Sequence, residues 1–247
     1  MVGYCSRYES RTRTILMYNA GLIRFFLPFL CLASVVVLSA CGGGSAAING
    51  DTAEARFKRG MAALEDEDYM KAQQEFNTII LQDPASEYAD DAQFYLAESY
   101  FLDGDYKLAA FNYNKLRTSF PNSSFNKTAL FKSGEAYYKS SLSYDRDQRE
   151  TRYAIDVFNG FAQIYAADSL VDTARQRVRE LRGKLAERDY RTAELYWKME
   201  DYKSALIYYE RVIDQYPDTQ YFDPASAGKL RAQRELGEQQ PVEARQR

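Results

Sequence analysis

From residue 52 onward, apolar residues recur three and four positions apart and polar turns interrupt them, which is a helical period rather than the alternation of a strand. The pattern also repeats at long range. Asp68-Tyr69-Met70-Lys71-Ala72 returns as Asp105-Tyr106-Lys107-Leu108-Ala109 and as Asp201-Tyr202-Lys203-Ser204-Ala205. Each block ends in an alanine with the same surroundings. A small residue stands twelve positions before it (Gly60, Ala97, Ala193), an aromatic four after it (Phe76, Tyr113, Tyr209), and a proline twelve after it (Pro84, Pro121, Pro217). The spacing predicts helical hairpins. The small residue of the first helix and the alanine of the second let the two axes approach. The aromatic lies on the alanine's face and fills the seam, and the proline ends the unit.

These offsets are those of the tetratricopeptide (TPR) pattern, so the expected class is all-α, a TPR α-solenoid of about four to five helical hairpins. The hairpins are placed at about 53–86, 90–123, 127–169 and 189–219, within a solenoid spanning 52–236. The third is irregular: Gly134 and Tyr137 fit its first helix, Ala154 and Phe158 its second, but twenty residues separate Gly134 from Ala154 instead of twelve. An insert of about eight residues is expected between Ser140 and Thr151. Residues 171–199 hold one glycine and no proline and read as long helix, with 171–188 linking to the fourth hairpin. A last helix is expected near Pro224–Leu236, and 237–247 reads as a frayed polar tail.

The start of the chain is different. Residues 25–38 are an apolar run of 14 without a charge, flanked by Arg11, Arg13 and Arg24. It is short for a bilayer span and fits a cleaved signal peptide over 1–40, with Met17 as an alternative start. The run ends in Leu38-Ser39-Ala40-Cys41, which resembles the lipobox of bacterial lipoproteins, with Cys41 as the lipidation site. Residues 41–51 then form the lipidated N-terminus and, through Gly42-Gly43-Gly44-Ser45, a flexible tether. Two or more acyl chains hold a protein to a membrane stably. Gly42, where an Asp would favour inner-membrane retention, points to the outer membrane and a periplasmic domain.

Composition narrows the chemistry. There are 21 Tyr and 14 Phe but one Trp and no His, so the commonest general base and metal ligand is missing. The three cysteines are Cys5, Cys31 and Cys41, which leaves a chain starting at Cys41 without an internal disulfide or a cysteine zinc site. The net charge is −3. The segment before Cys41 has four arginines and Glu9, so it carries +3 and the remainder −6, a poor match to nucleic acid. The acidic run Glu65-Asp66-Glu67-Asp68 lacks the spacing and glycine of a calcium loop and reads as a solvated turn. No enzyme, cofactor or metal is expected.

The order of lipobox, tether, two hairpins, a third with an insert, a long linking helix and a fourth hairpin resembles the BamD family of outer-membrane assembly lipoproteins. The most telling segments are Phe120-Pro121-Asn122-Ser123, Tyr216-Pro217-Asp218-Thr219 and Leu181-Arg182-Gly183-Lys184-Leu185-Ala186-Glu187. The resemblance covers roughly 52–236. It implies a non-enzymatic, lipid-anchored, periplasm-facing scaffold of the β-barrel assembly machine. The implied partners are a BamA-like POTRA/β-barrel protein, unfolded outer-membrane proteins and other lipoproteins of the machine. That family usually has a fifth complete hairpin, of which only the first helix is expected here. The rival readings are a Tol-Pal-associated envelope coordinator or a lipoprotein of secretion or pilus assembly. The absence of N-terminal heptads and the insert after Tyr138 argue against the first rival.

In TPR folds, positions 5, 9 and 12 of the first helix tend to face the concave side. Here they are Phe57, Met61 and Leu64; Phe94, Glu98 and Phe101; Phe131, Glu135 and Tyr138. Seven of the nine are apolar or aromatic. They either line a groove for the aromatic end of a client peptide or pack between neighbouring helices as core.

Overall fold

Thr52 opens the first helix. Its Oγ1 accepts the Ala55 backbone N–H at 3.1 Å, which satisfies one of the donors that every helix start leaves over. The computed structural model describes residues 51–245, with side chains as far as Gly237. The signal peptide, Cys41 and the tether 42–45 fall outside the described residues.

Four antiparallel pairs follow one another: α1 (Ala53–Glu65) with α2 (Tyr69–Gln82), α3 (Ala89–Leu102) with α4 (Tyr106–Ser119), α5 (Asn126–Ser140) with α6 (Arg149–Ile164), and α7 (Val171–Lys198) with α8 (Tyr202–Gln215). A single helix, α9 (Phe222–Arg245), ends the stack, and no strand occurs among the described residues. The tight turns inside three of the hairpins share one backbone device. The residue before the capping aspartate is left-handed: Glu67 at φ 59°, Gly104 at φ 87° and Glu200 at φ 61°. Asp68 and Asp201 then accept the N–H of Lys71 and Ser204 at 3.2 and 3.1 Å. The acidic run at Glu65–Asp68 is this turn and cap.

The predicted seams are present. Phe76, Tyr113, Phe158 and Tyr209 are each fully buried, as are Ala72, Ala109, Ala154 and Ala205. A Cβ placed on Gly60 would lie 2.6 Å from Phe76 Cε1, and one on Gly134 would lie 2.8 Å from Phe158 Cε1. Those glycines are therefore required by helix approach rather than by backbone freedom. Gly228 of α9 does the same against Tyr209, whose ring an added Cβ would strike. The offsets could not reveal it, because no second helix follows α9 among the described residues to complete the pattern.

Each helix packs on its neighbours in the chain. Beyond that, first helices touch first helices (α1 with α3, α5 with α7, α7 with α9), with no comparable contact between two second helices among the described residues. The stack therefore bends toward its first helices, as a TPR solenoid does. The eight extra residues of the third hairpin mostly form the connection 141–148, where the other three hairpins use three residues. Gln148, fully buried, holds it: Nε2 donates to the Ser143 and Arg146 carbonyls at 2.6 and 3.0 Å, and Oε1 accepts from Thr151 Oγ1 at 2.7 Å.

Helix α7 runs 28 residues without a break, so the linking segment and the first helix of the fourth hairpin are one rod. Helix α9 continues past Leu236 to Arg245, which corrects the expected frayed tail over that stretch. Low apolar content suggests fraying, yet Glu, Gln, Ala and Arg are intrinsically good helix formers.

Candidate functional site

The nine residues of the predicted strip lie on α1, α3 and α5. The structure divides them into groups. Phe94 is core: it is 7% exposed and stacks on Phe125 of the next hairpin with ring centroids 4.2 Å apart. Phe57 is partly exposed and makes ring contacts with Phe76, Tyr88 and Tyr95 at 5.4–5.7 Å. Phe131 is also partly exposed and touches Phe158 and Phe161. The three phenylalanines at position 5 thus work chiefly between helices, with Phe57 and Phe131 partly exposed and Phe94 buried.

Positions 9 and 12 carry a repeated arrangement that links successive first helices. Glu98 accepts from Lys132 Nζ of the next first helix at 3.0 Å, and that ammonium lies 5.2 Å from the centre of the Phe101 ring. One unit on, Glu135 accepts from Arg177 Nε at 3.0 Å, and the guanidinium sits 4.2 Å over Tyr138. In the fourth hairpin Glu194 accepts from Arg231 of α9 at 3.1 Å, with the guanidinium 4.9 Å over Trp197. Each clamp combines an ion pair with a cation–π contact. Helix geometry sets the acid and ring three residues apart on one face, and the stacking supplies the cation.

Two of the acids also serve the seam. The buried hydroxyls of Tyr113 and Tyr209 donate to Glu98, at 2.5 Å, and to Glu194. Burial first, and then the adjacent carboxylate, pushes both phenols well above the ordinary tyrosine range. For Arg177, burial opposes the charge, but Glu135, with Glu180 and Tyr138 adding to it, outweighs that and the guanidinium is held more strongly protonated. The first hairpin differs. Its positions 9 and 12 are Met61 and Leu64, partly exposed against an apolar cluster, and its seam residue Phe76 has no hydroxyl to satisfy.

Spacing alone brings Glu98 and Phe101, and Glu135 and Tyr138, onto one face, but it does not reveal their cations, Lys132 and Arg177. The fourth hairpin extends the strip beyond the nine predicted positions. Glu194 and Trp197 follow Ala193 as Glu98 and Phe101 follow Ala97, so that signal is present in the sequence. Among the described residues no group of histidine, cysteine, aspartate and glutamate could hold a metal ion, and no helix is long and apolar enough to cross a membrane.

Comparison with known proteins decides the family. Residues 49–247 match the family model described as outer membrane lipoprotein, YfiO. The chain belongs to that family. This YfiO-family chain is 24% identical over 163 residues to the outer membrane protein assembly factor BamD of Rickettsia prowazekii, covering 66% of this chain and 65% of that protein. It is 21% identical over 191 residues to BamD of Vibrio cholerae, covering 73% and 79%. The chain thus spans just under two thirds of the first relative's length. A solved thermophilic TPR protein of Thermus thermophilus aligns over 75% of this chain and 99% of its own at 17% identity, with a TM-score of 0.38.

Proposed function

We propose that this YfiO-family chain is a lipid-anchored, periplasm-facing scaffold of the β-barrel assembly machine. On this reading it is tied to the outer membrane through acylated Cys41. It binds a BamA-like POTRA/β-barrel protein and unfolded outer-membrane proteins, and it acts by presenting surfaces rather than by catalysis. The observation that carries the reading is the family match over residues 49–247 together with two relatives named as assembly factors. The stacked hairpins support it, since a solenoid offers a long inner face to other polypeptides.

Within that reading, the client's aromatic terminal strand is received on the strip of first helices, centred on the first hairpin. Met61 and Leu64 are partly exposed there and engaged in no clamp, whereas Glu98, Phe101, Glu135 and Tyr138 already hold cations of the protein itself. Phe57 and Phe131 contribute ring edges, and buried Phe94 keeps α3 in place beneath them.

The reading is tested by a detergent pull-down of the full chain from native outer membranes through a C-terminal tag. Recovery of a POTRA-containing barrel protein in stoichiometric amount is the expected result. Recovery instead of a Tol-Pal component or a secretion pore, reproducibly and without the barrel protein, would assign the chain to a different envelope system. Replacing Cys41 by Ser should abolish fatty-acid labelling and release the chain from the membrane.

A further inference from the structure

Two irregular features of the chain, the insert and the long α7, meet a regular turn in one place. The 141–148 insert, the middle of α7 and the turn after α8 together line an open cleft of about 620 Å³. Ser143 and Tyr144 line it from the insert, Asp218 to Tyr221 from the turn, and Gly183 and Lys184 from α7. That volume is in the usual range of ligand sites.

The cleft's charges are unevenly satisfied. Its three acids are occupied: Asp218 by Arg182 at 2.5 Å, Glu180 by Arg177, Tyr138 and Gln176, and Glu187 by Arg191 at 3.5 Å. Its two cations are not. Lys184 Nζ donates only to the neutral Ser141 Oγ and carbonyl, at 2.7 and 3.3 Å, and Arg179 has no described acidic partner. Burial, with no opposing acid, pulls the Lys184 ammonium below the ordinary lysine value. A partly buried cation without a counter-charge is unfavourable, and a carboxylate brought beside it relieves that.

Gly183 adds the second argument. Glycine in a helix interior is disfavoured relative to alanine. Gly60, Gly134 and Gly228 are required by rings that a Cβ would strike, whereas a Cβ on Gly183 meets nothing within 4 Å. Gly160 has similarly open surroundings but does not line this cleft. Nothing described inside this chain uses the space that Gly183 leaves, so it suits a main chain arriving from outside.

We propose that this cleft holds an extended segment of a partner protein through an acidic side chain, the carboxylate taken by Lys184 and Arg179 while the partner's backbone crosses Gly183. It is a second docking surface, bordering the client strip at Glu180, which accepts from Tyr138, and it does not rest on the assembly-machine reading.

The test is calorimetric titration of the full chain in detergent with the capped pentapeptide acetyl-Ser-Glu-Ser-Glu-Ser-amide. Saturable binding is expected, at least fivefold weaker for the Gln counterpart and at least fivefold weaker in Lys184→Gln and Arg179→Gln. It should be lost in Gly183→Trp and Gly183→Leu, whose unchanged helical melting shows them folded. Equal binding of the Glu and Gln peptides, no binding of either, or full binding by a folded Gly183→Trp chain would overturn the proposal. So would tighter binding of acetyl-pentaserine with a free C-terminus, which would make the ligand a chain end rather than a side chain.

Discussion

The first and fourth hairpins are built on the same offsets and differ at three equivalent places. The first has Met61, Leu64 and Phe76 where the fourth has Glu194, Trp197 and Tyr209. In the fourth, the acid accepts from the seam tyrosine and from Arg231 of the next helix, whose guanidinium covers the tryptophan. In the first, the same positions are apolar and belong to a cluster with Phe57 and Tyr95. The seam tolerates either a hydrocarbon ring with an apolar neighbour or a phenol with a carboxylate. The choice also sets what the inner face offers. A carboxylate recruits a cation and closes the surface, whereas a methionine leaves it apolar and partly open.

The comparison is broken most forcefully at what the two hairpins share. Phe76→Ala and Tyr209→Ala should each cost about 3–5 kcal/mol, as for other buried rings, read as a drop in the urea midpoint of the unfolding step of that region. A cost below about 1 kcal/mol for either would mean that the ring does not hold the seam. Next is conversion of one hairpin type into the other. Phe76→Tyr alone places a hydroxyl in an apolar seam and should cost about 1–3 kcal/mol. Adding Met61→Glu should recover most of that loss, and a double-mutant cycle without coupling would contradict the paired-choice account.

Smaller effects follow. Lys132→Met and Arg177→Met open two clamps whose cations are partly exposed, so solvent screening should hold each loss to about 1 kcal/mol or less. Glu67→Gly and Glu200→Gly relieve the same left-handed turn in both hairpins and should each stabilise by up to about 1 kcal/mol. A gain in one turn alone would show that the turns are not equivalent. On the alkaline side, the raised phenols of Tyr113 and Tyr209 stay protonated in the fold while unfolded tyrosine ionises near pH 10. Their contribution is therefore whole below about pH 10 and lost as pH climbs above it. A double Phe variant should show a shallower alkaline decline in thermal melting.

What is legible from residues alone is what local spacing encodes. Gly60 and Phe76, Ala97 and Tyr113, Gly134 and Phe158, Ala193 and Tyr209 are close in sequence, and helical geometry fixes which of them meet. The insert can be sized, because Gly134 and Ala154 bracket it. The clamps cannot be read, because their cations lie 34, 42 and 37 residues from their acids. That separation varies with the insert and the long α7, so no constant offset exposes it. The cleft is hidden for the same reason: Ser143, Gly183 and Asp218 become neighbours only once the insert and the long α7 are stacked against the turn after α8. Spacing also makes the nine strip positions look equivalent, although the exposure of Phe94 depends on Phe125, which no repeat position predicts.

On the proposed function, the apolar first hairpin, and not the clamped ones, offers the client surface. The most direct measurement is the affinity of the full chain for a peptide copy of an outer-membrane strand ending in phenylalanine. Met61→Gln with Leu64→Gln should weaken it at least tenfold, and Lys132→Met with Arg177→Met should change it less than twofold. The reverse order, with folded variants, would contradict the account.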